Sequence, residues 1–253
     1  MGRKPKGNIF YSQIIDCGLK RKENQDAIYS FVQGDLGLFV LADGMGGHSR
    51  GELASGEITR TCAEYAASLQ TREKSVDFLT LTHEVAKVLR TANERVLTKY
   101  SRDVICGSTA IILLIKKDCY AVFSVGDSRV YTFYQGEMEV LTIDDIWDNL
   151  PGTMEKYTRQ QIYADPRRGK LVQAIGVAKE VNIHIATNRI RKGQCFLLCS
   201  DGVYRFCSEQ VLQEGMKHSF SETMVQSVLE RYKREVYQNG AKDNLSAILV
   251  CVR

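Results

Sequence analysis

An aspartate stands directly beside an apolar, strand-like run at four separate points of this 253-residue chain. The four are Asp43, Asp127, Asp201 and Asp243, next to the runs LGLFVLA, AVFSVG, FLLCS and NLSAILV. An apolar run of this length, bounded by turn residues, is typical of a buried strand. Carboxylates at the ends of such strands are partly desolvated, so bringing several together requires a cation or raises their pKa values. The pattern therefore predicts strand ends that carry one acidic, cation-binding site.

Oxygen ligands alone favour a hard divalent cation, Mg²⁺ or Mn²⁺. Zinc or copper would require His or Cys ligands, and the histidines are far apart in sequence without metal-binding spacing. They are His48, His83, His184 and His218. The alternative is that each Asp only begins a turn, since Asp and Gly are common turn residues. That alternative is the stronger one for a single Asp-Gly pair, whereas four such aspartates favour the metal site.

The order of apolar patterns favours an α+β fold. Two segments have apolar residues at helical spacing; the first opens with Ser49-Arg50-Gly51-Glu52, a capping-box pattern, and continues to Leu69. From Gly107, short apolar runs alternate with tight turns, which predicts an antiparallel meander to Leu141. The other predicted elements are helices over about 75–100 and 209–238, a surface excursion over 143–170, and strands over 194–199 and 244–252. Two clusters of strands with separate helices argue against a βαβ repeat.

The charge distribution gives no sign of a nucleic-acid binder. The formal net charge is +4, and three of those charges come from Arg3, Lys4 and Lys6, so no basic face of the usual kind is present. Three prolines and no Gly/Ser-rich interior run give no linker. We therefore expect a basic tail over 1–10 and a single domain over 11–253.

No apolar run approaches the roughly 20 residues that span a bilayer, and the N-terminus has no pattern of a secretory signal. We therefore expect a cytoplasmic protein.

The cysteine and glycine patterns argue against a zinc site, a dinucleotide site and a P-loop. The eight cysteines have no zinc-binding spacing, so most are expected to be buried, reduced thiols. The stretch Gly44-Met45-Gly46-Gly47 lacks the spacing of a dinucleotide fingerprint and the Lys of a phosphate-binding P-loop. These glycines are better suited to letting the backbone approach a ligand closely, as a carbonyl ligand to a metal would.

Six segments together resemble the successive motifs of the metal-dependent, type-2C serine/threonine protein phosphatases in their bacterial form. They are 16–26, 41–47, 107–109, 125–129, 198–202 and 243–244. The resemblance covers about residues 11 to 252 in order and spacing. It implies a four-layer α-β-β-α sandwich of two antiparallel sheets flanked by helices, with a metal centre at one end.

The resemblance also assigns the metal ligands. It implies that Asp43 bridges two Mn²⁺ or Mg²⁺ ions and that the carbonyl of Gly44 binds one of them. Asp201 and Asp243 would hold the other ion. Asp127, together with Asp201, would form the weaker site of a possible third ion.

Two further residues match family positions of known role. Arg21 matches the arginine that binds the substrate phosphate, a task that suits its planar, bidentate donors. Asp26 matches an acid that orients metal-bound water. The implied reaction is hydrolysis of phosphoserine and phosphothreonine on proteins by direct attack of a metal-bridging hydroxide. The implied partners are phosphoproteins and a cognate serine/threonine kinase, with no nucleic acid or membrane partner and a monomeric enzyme.

Three other functions were weighed. A cysteine-nucleophile phosphatase needs a C-x5-R loop, and no cysteine has Arg six positions later. A regulatory binding module on the same scaffold, and a phosphatase acting on a small phosphorylated metabolite, stay open.

The sequence departs from the family pattern at Gln25, Met45, Asp144-Asp145-Ile146 and Asp165-Pro166. The last two lie in the excursion expected to border the site, and bear on substrate preference more than on activity.

Overall fold

The computed structural model describes residues 9–45, 50–71, 76–100, 106–219 and 221–253. In chain order the strands are β1 (Ile9–Asp16), β2 (Asp26–Gln33), β3 (Leu36–Met45), β4 (Gly107–Ser108), β5 (Ala110–Lys116), β6 (Cys119–Val125), β7 (Arg129–Tyr134), β8 (Glu137–Val140), β9 (His184–Arg189), β10 (Cys195–Cys199) and β11 (Leu245–Val252). The helices are α1 (Gly51–Gln70), α2 (Phe78–Tyr100), α3 (Thr153–Lys156), α4 (Arg159–Ala164), α5 (Asp201–Tyr204), α6 (Glu209–Lys217) and α7 (Glu222–Gln238), with a 3-10 turn over Trp147–Asn149.

The strands form two antiparallel sheets. One sheet has the order β1-β11-β10-β7-β8, and the other has the order β2-β3-β5-β6-β9 with β4 paired to β3. Apolar side chains from both sheets, among them Phe39, Leu113 and Phe196, form the core between them. A second core lies between the β3 sheet and the α1–α2 pair, and a third between the β10 sheet and α5–α7. The expected four-layer α-β-β-α sandwich is thus confirmed.

Several local predictions need correction. The predicted meander over 109–141 is wrong as a single sheet, because β5 and β6 pair in one sheet and β7 and β8 in the other. Residues 126–128 carry the chain across between the two sheets. The predicted helix over 209–238 is two helices, α6 and α7. Local periodicity detects a helix or a hairpin, but it does not say to which layer the element belongs.

The ends of some elements also differ from expectation. Ser49 lies outside the described residues, and α1 begins at Gly51 after Arg50, whose side chain makes no capping hydrogen bond. Ile9 and Phe10, expected in the basic tail, are buried at the start of β1. Residues 1–8 of that tail lie outside the described part. No described helix has both the length and the apolarity needed to cross a bilayer.

Asp145 is one of the residues that tie the excursion after β8 to the sandwich. Its Oδ2 accepts hydrogen bonds from the backbone N–H of Gly126 at 2.8 Å and from Nε2 of Gln173 at 2.9 Å. Its Oδ1 lies 2.8 Å from Nε2 of His184 on β9. The excursion is therefore tied to the loop that crosses between the sheets, beside Asp127.

The cysteines follow the expectation only in part. Cys195 and Cys251 are opposite each other on β10 and β11 and form a disulfide. The six others are thiols, and four of them are buried: Cys62, Cys106, Cys199 and Cys207.

Phe196 should be a principal contributor to the core between the sheets. It is fully buried, with its ring centroid 4.8 Å from that of Tyr120 in an edge-to-face contact. Phe196→Ala leaves a cavity where both sheets meet, so we expect the free energy of unfolding to fall by about 3–5 kcal/mol in chemical denaturation. Phe196→Leu, which fills most of that volume, should cost roughly half as much or less. Equal losses in both variants would show that burial at this position does not depend on the ring.

Candidate metal centre

One end of the sandwich opens into a cavity of about 290 Å³. Its lining consists of Arg21, Gln25, Asp43, Gly44, Met45, Thr109, Asp127, Gly169, Leu171, Asp201, Arg205 and Asp243. Every predicted site residue except Asp26 is in that set. Asp26 itself is on β2, directly opposite Asp43 on β3. The structure therefore brings all of the predicted residues to one place.

The backbone of Asp43 is fixed by hydrogen bonds from the neighbouring segment. The sequence predicted a turn at Asp43-Gly44, but β3 continues through both residues to Met45. The Asp43 N–H donates to Oγ1 of Thr109 at 3.1 Å, and the Asp43 carbonyl accepts from the Thr109 N–H at 2.8 Å. Oγ of Ser108 donates to the same carbonyl at 2.9 Å. These three hydrogen bonds fix the backbone from which the Asp43 carboxylate extends beside the cavity.

Gly44 is where the backbone itself approaches the site. Its N–H donates to the carbonyl of Gln25 at 3.1 Å. A Cβ at this position would collide with the carbonyl oxygens of Gln25 and Gly51. Any residue with a side chain would force these segments apart, so glycine is required for this close packing.

A buried serine connects Asp26 to the strand end that carries Asp201. Oγ of Ser200 donates to Oδ2 of Asp26 at 3.1 Å and accepts from the N–H of Ser246 at 3.1 Å. The Ser200 N–H donates in turn to the carbonyl of Ser246 at 3.0 Å. Asp201 follows at the first position of α5. These bonds join β2, β10 and β11 around the acidic residues.

The loop that carries Arg21 is held by the amide of Asn244. Its Oδ1 accepts from the N–H of Gln25 at 2.9 Å, and its Nδ2 donates to the carbonyls of Cys17 and Glu23, both at 3.0 Å. Sequence analysis placed Asn244 in a motif without giving it this role. A residue more than 200 positions from its partners offers no local signal for such a contact.

Two arginines face the four aspartates of the cavity. Nη2 of Arg21 donates to Oδ2 of Asp243 at 2.8 Å. Arg205, which the sequence analysis did not identify, contacts Asp127 and Asp201. Its only sequence signal is its place four residues after Asp201, one helical turn along the chain.

Burial raises the pKa values of several aspartates in the site. Burial, followed by the charge of Asp26, raises the pKa of Asp43 well above its ordinary value. Desolvation also raises the pKa of Asp26 and the pKa of Asp127 to about 6 each, with the charge of Asp201 adding to both. The pKa of Asp201 is raised by its burial, against the charge of Arg205. Bound cations would relieve this excess of desolvated negative charge.

The donor set fits hard divalent ions. Among the described residues, the cavity lining holds carboxylates and backbone carbonyls but neither His nor Cys, which favours Mg²⁺ or Mn²⁺ over zinc. Oδ1 of Asp26 is buried and makes no hydrogen bond within the described residues, as expected of an oxygen whose partner is a bound water. Within the described residues, no three His, Cys, Asp or Glu side chains form a ready-made metal cage. The aspartates instead share the cavity with the two arginines that neutralise them.

The raised pKa values give a pH dependence in the metal-free protein. An ordinary Asp has a pKa of 3.8, whereas Asp26 and Asp127 are at about 6 in the folded chain. As the pH falls, the folded state therefore takes up protons at a higher pH than the unfolded state does. The resulting stabilisation of the folded state is complete below pH 3.8 and is lost as the pH rises through about 6. We expect the free energy of unfolding in EDTA to increase by on the order of 1–3 kcal/mol from about pH 7.5 to 5.

Asp26→Asn is uncharged at every pH and should make this increase smaller. The measurement is chemical denaturation of both proteins across the pH range. An unchanged pH dependence in the variant would show that Asp26 is not protonated in the folded state near pH 6.

Comparison with known proteins places this geometry in a family. The family model described as Protein phosphatase 2C matches residues 20–250. The serine/threonine protein phosphatase PstP of Mycobacterium tuberculosis is 26% identical over 248 residues, which cover 96% of this chain and 45% of that protein. The chain thus spans less than half the length of this relative.

Solved structures agree with that match. The crystal structure of M. tuberculosis PstP/Ppp has a TM-score of 0.80 at 26% identity and covers 97% of this chain and 99% of that one. The catalytic domain of PstP in complex with two manganese ions has a TM-score of 0.77 at 25% identity, covering 96% and 98%. Because the family model spans the whole cavity lining and both sheets match these folds, the chain belongs to the protein phosphatase 2C family.

Proposed function

We propose that this chain is a metal-dependent phosphatase that hydrolyses phosphoserine and phosphothreonine on proteins. The observation that carries the proposal is the set of desolvated aspartates and two arginines around one open cavity. Cations held by the aspartates and the guanidinium of Arg21 together suit a phosphate dianion, the group that such a reaction must neutralise. The relatives named as serine/threonine protein phosphatases support the same substrate class.

Two Mn²⁺ or Mg²⁺ ions fit this ligand set. Asp43 would contact both ions, the Gly44 carbonyl would bind one, and Asp201 and Asp243 would hold the other. Bound there, the ions supply a water that ionises near neutral pH and neutralise charge on the phosphoryl group. The manganese complex of the PstP catalytic domain supports this choice of metal.

The chain's own residues would position the substrate and the attacking water. One Nη2 donor of Arg21 is engaged by Asp243, and a guanidinium has five N–H donors, enough to bind a phosphate as well. Oδ1 of Asp26 is buried and accepts no hydrogen bond from the part of the chain that the structure describes, and it is the atom we assign to orient the water. Its Oδ2 is fixed by Ser200, so the carboxylate cannot rotate without losing a hydrogen bond.

A second cavity favours a protein substrate over a small phosphorylated metabolite. It has a volume of about 710 Å³ and shares Asp127, Gly169 and Arg205 with the first. Most of its lining comes from the excursion after β8, and the rest comes from Asp127, Arg129, Tyr204 and Arg205. The two neighbouring cavities together have room for residues on either side of a phosphorylated side chain. A cognate kinase, a monomeric state, a role in cytoplasmic signalling and no nucleic acid or membrane partner belong to the same proposal.

Hydrolysis of a phosphothreonine peptide should require Mn²⁺ or Mg²⁺ and stop in EDTA. Asp201→Asn removes a ligand charge, so we expect weaker Mn²⁺ binding by calorimetry and loss of most turnover, with an unchanged circular dichroism spectrum. Asp118→Asn removes an exposed charge beside Arg189, outside the cavity lining, and should behave as the wild type. Wild-type turnover in Asp201→Asn would remove Asp201 from the centre, and a folded wild type without metal binding would favour a binding module.

Arg21→Ala should chiefly raise KM for the phosphopeptide. Its hydrogen bonds to the phosphate would form in the ground state as well as in the transition state. Loss of a charge-assisted hydrogen bond worth about 1.5–3 kcal/mol corresponds to a roughly 10- to 100-fold increase. Lys22→Ala, which removes a charge from the same loop, is the control. A decrease confined to kcat would place the role of Arg21 in the transition state alone.

A further inference from the structure

We infer that the guanidinium of Arg205 takes the place of a third metal ion, so that the centre binds two ions and Arg205 is its fixed third cation. The inference rests on the proposed function. It replaces the expectation that Asp127 and Asp201 jointly hold a weaker metal site.

The contacts of Arg205 are those that a cation shared by the two aspartates would make. Nη2 of Arg205 is 3.1 Å from Oδ2 of Asp127, and Nη1 is 3.2 Å from Oδ2 of Asp201. The two carboxylate side chains are only 10% and 18% exposed, so they depend on this partner more than surface groups would. One guanidinium thus joins the two carboxylates that the third ion would have joined.

The backbone gives Arg205 little freedom to leave this position. Its N–H donates to the carbonyl of Asp201 at 3.0 Å, which completes the turn of α5. Val203 on the same turn is fully buried, and a Cβ at Gly202 would collide with the carbonyl of Asn244. The turn is therefore packed against the start of β11, which holds the backbone of Arg205 one turn from Asp201, while the side chain itself is 48% exposed.

Asp127 is fixed independently, from the other side of the cavity. Gly126, in the left-handed region with φ of 98°, packs against Thr109, and its N–H is bound by Asp145. Oγ of Ser128 is 2.7 Å from Oγ1 of Thr109. Asp127 and Asp201 thus belong to two separately anchored segments, and Arg205 is the cation that connects them.

A divalent ion bound by both Oδ2 atoms would have to displace the guanidinium from them. Carboxylate oxygens approach Mg²⁺ or Mn²⁺ to ~2 Å, and the Oδ2 atoms in question already contact guanidinium nitrogens. An ion bound to both would lie against a side chain of like charge. Arginine stays protonated at all relevant pH values, so proton loss cannot remove the conflict. The guanidinium is therefore a permanent positive charge that competes with a third ion for these two oxygens.

The count of bound ions tests the inference directly. Equilibrium dialysis against Mn²⁺, well above saturation of the core site, should give two ions per wild-type chain. Arg205→Gln keeps the length of the side chain without its charge and should bind three. The double variant Arg205→Gln/Asp127→Asn should return to two. Arg168→Ala removes an arginine of the neighbouring cavity, 50% exposed, and should stay at two.

Three ions in the wild type, with two in Asp127→Asn, would overturn the inference and leave the proposed function standing. Two ions in both the wild type and Arg205→Gln would overturn it as well, because the guanidinium would then exclude nothing. No bound ion in a wild type shown to be folded would overturn the proposed function, and the inference with it.

Discussion

The close approach of Asp26 and Asp43 across β2 and β3 is the interaction on which the rest of the site depends. Two buried carboxylates on neighbouring strands lose hydration, which raises the pKa of each, and the charge of Asp26 raises the pKa of Asp43 further. Such a pair persists only where the surrounding structure fixes it. The Thr109 backbone, the hydroxyl of Ser108 and the hydroxyl of Ser200 supply that restraint. The sandwich therefore maintains an unfavourable charge distribution that cations can relieve.

Neutral polar groups, more than charged ones, give the site its geometry. The amide of Asn244 fixes the loop that carries Arg21, and Ser200 links three strands around Asp26. Both groups are buried; Asn244 bonds to backbone groups, and Ser200 bonds to a backbone N–H and to the carboxylate of Asp26, so they add rigidity without adding net charge. The aspartates and arginines are thereby left to bind ions and phosphate, while the framework that orients them is uncharged.

The two arginines pair with different aspartates of the cavity. Arg21 lies on a loop and is half-exposed beside Asp243, as a group that also meets a substrate would be. Arg205 lies on a packed turn and bridges two nearly buried carboxylates. The two arginines therefore have different proposed roles although they carry the same charge. Arg21 is on a loop at the opening and would bind substrate, whereas Arg205 follows a turn anchored by Gly202 and bridges two carboxylates.

The sequence by itself determined the acidic residues, and its resemblance to a known family predicted the layers. Apolar runs next to Asp43, Asp127, Asp201 and Asp243 are local patterns, and the motif order identified the family. The strands β1, β2 and β9 were not predicted, because most side chains of β1 and β2 are of intermediate exposure and most of those of β9 are exposed. Only the tertiary structure split the predicted meander between two sheets and brought Arg205 to Asp127, 78 residues away. Sequence periodicity records which face of an element is buried, whereas the partners across a cavity depend on packing between distant segments.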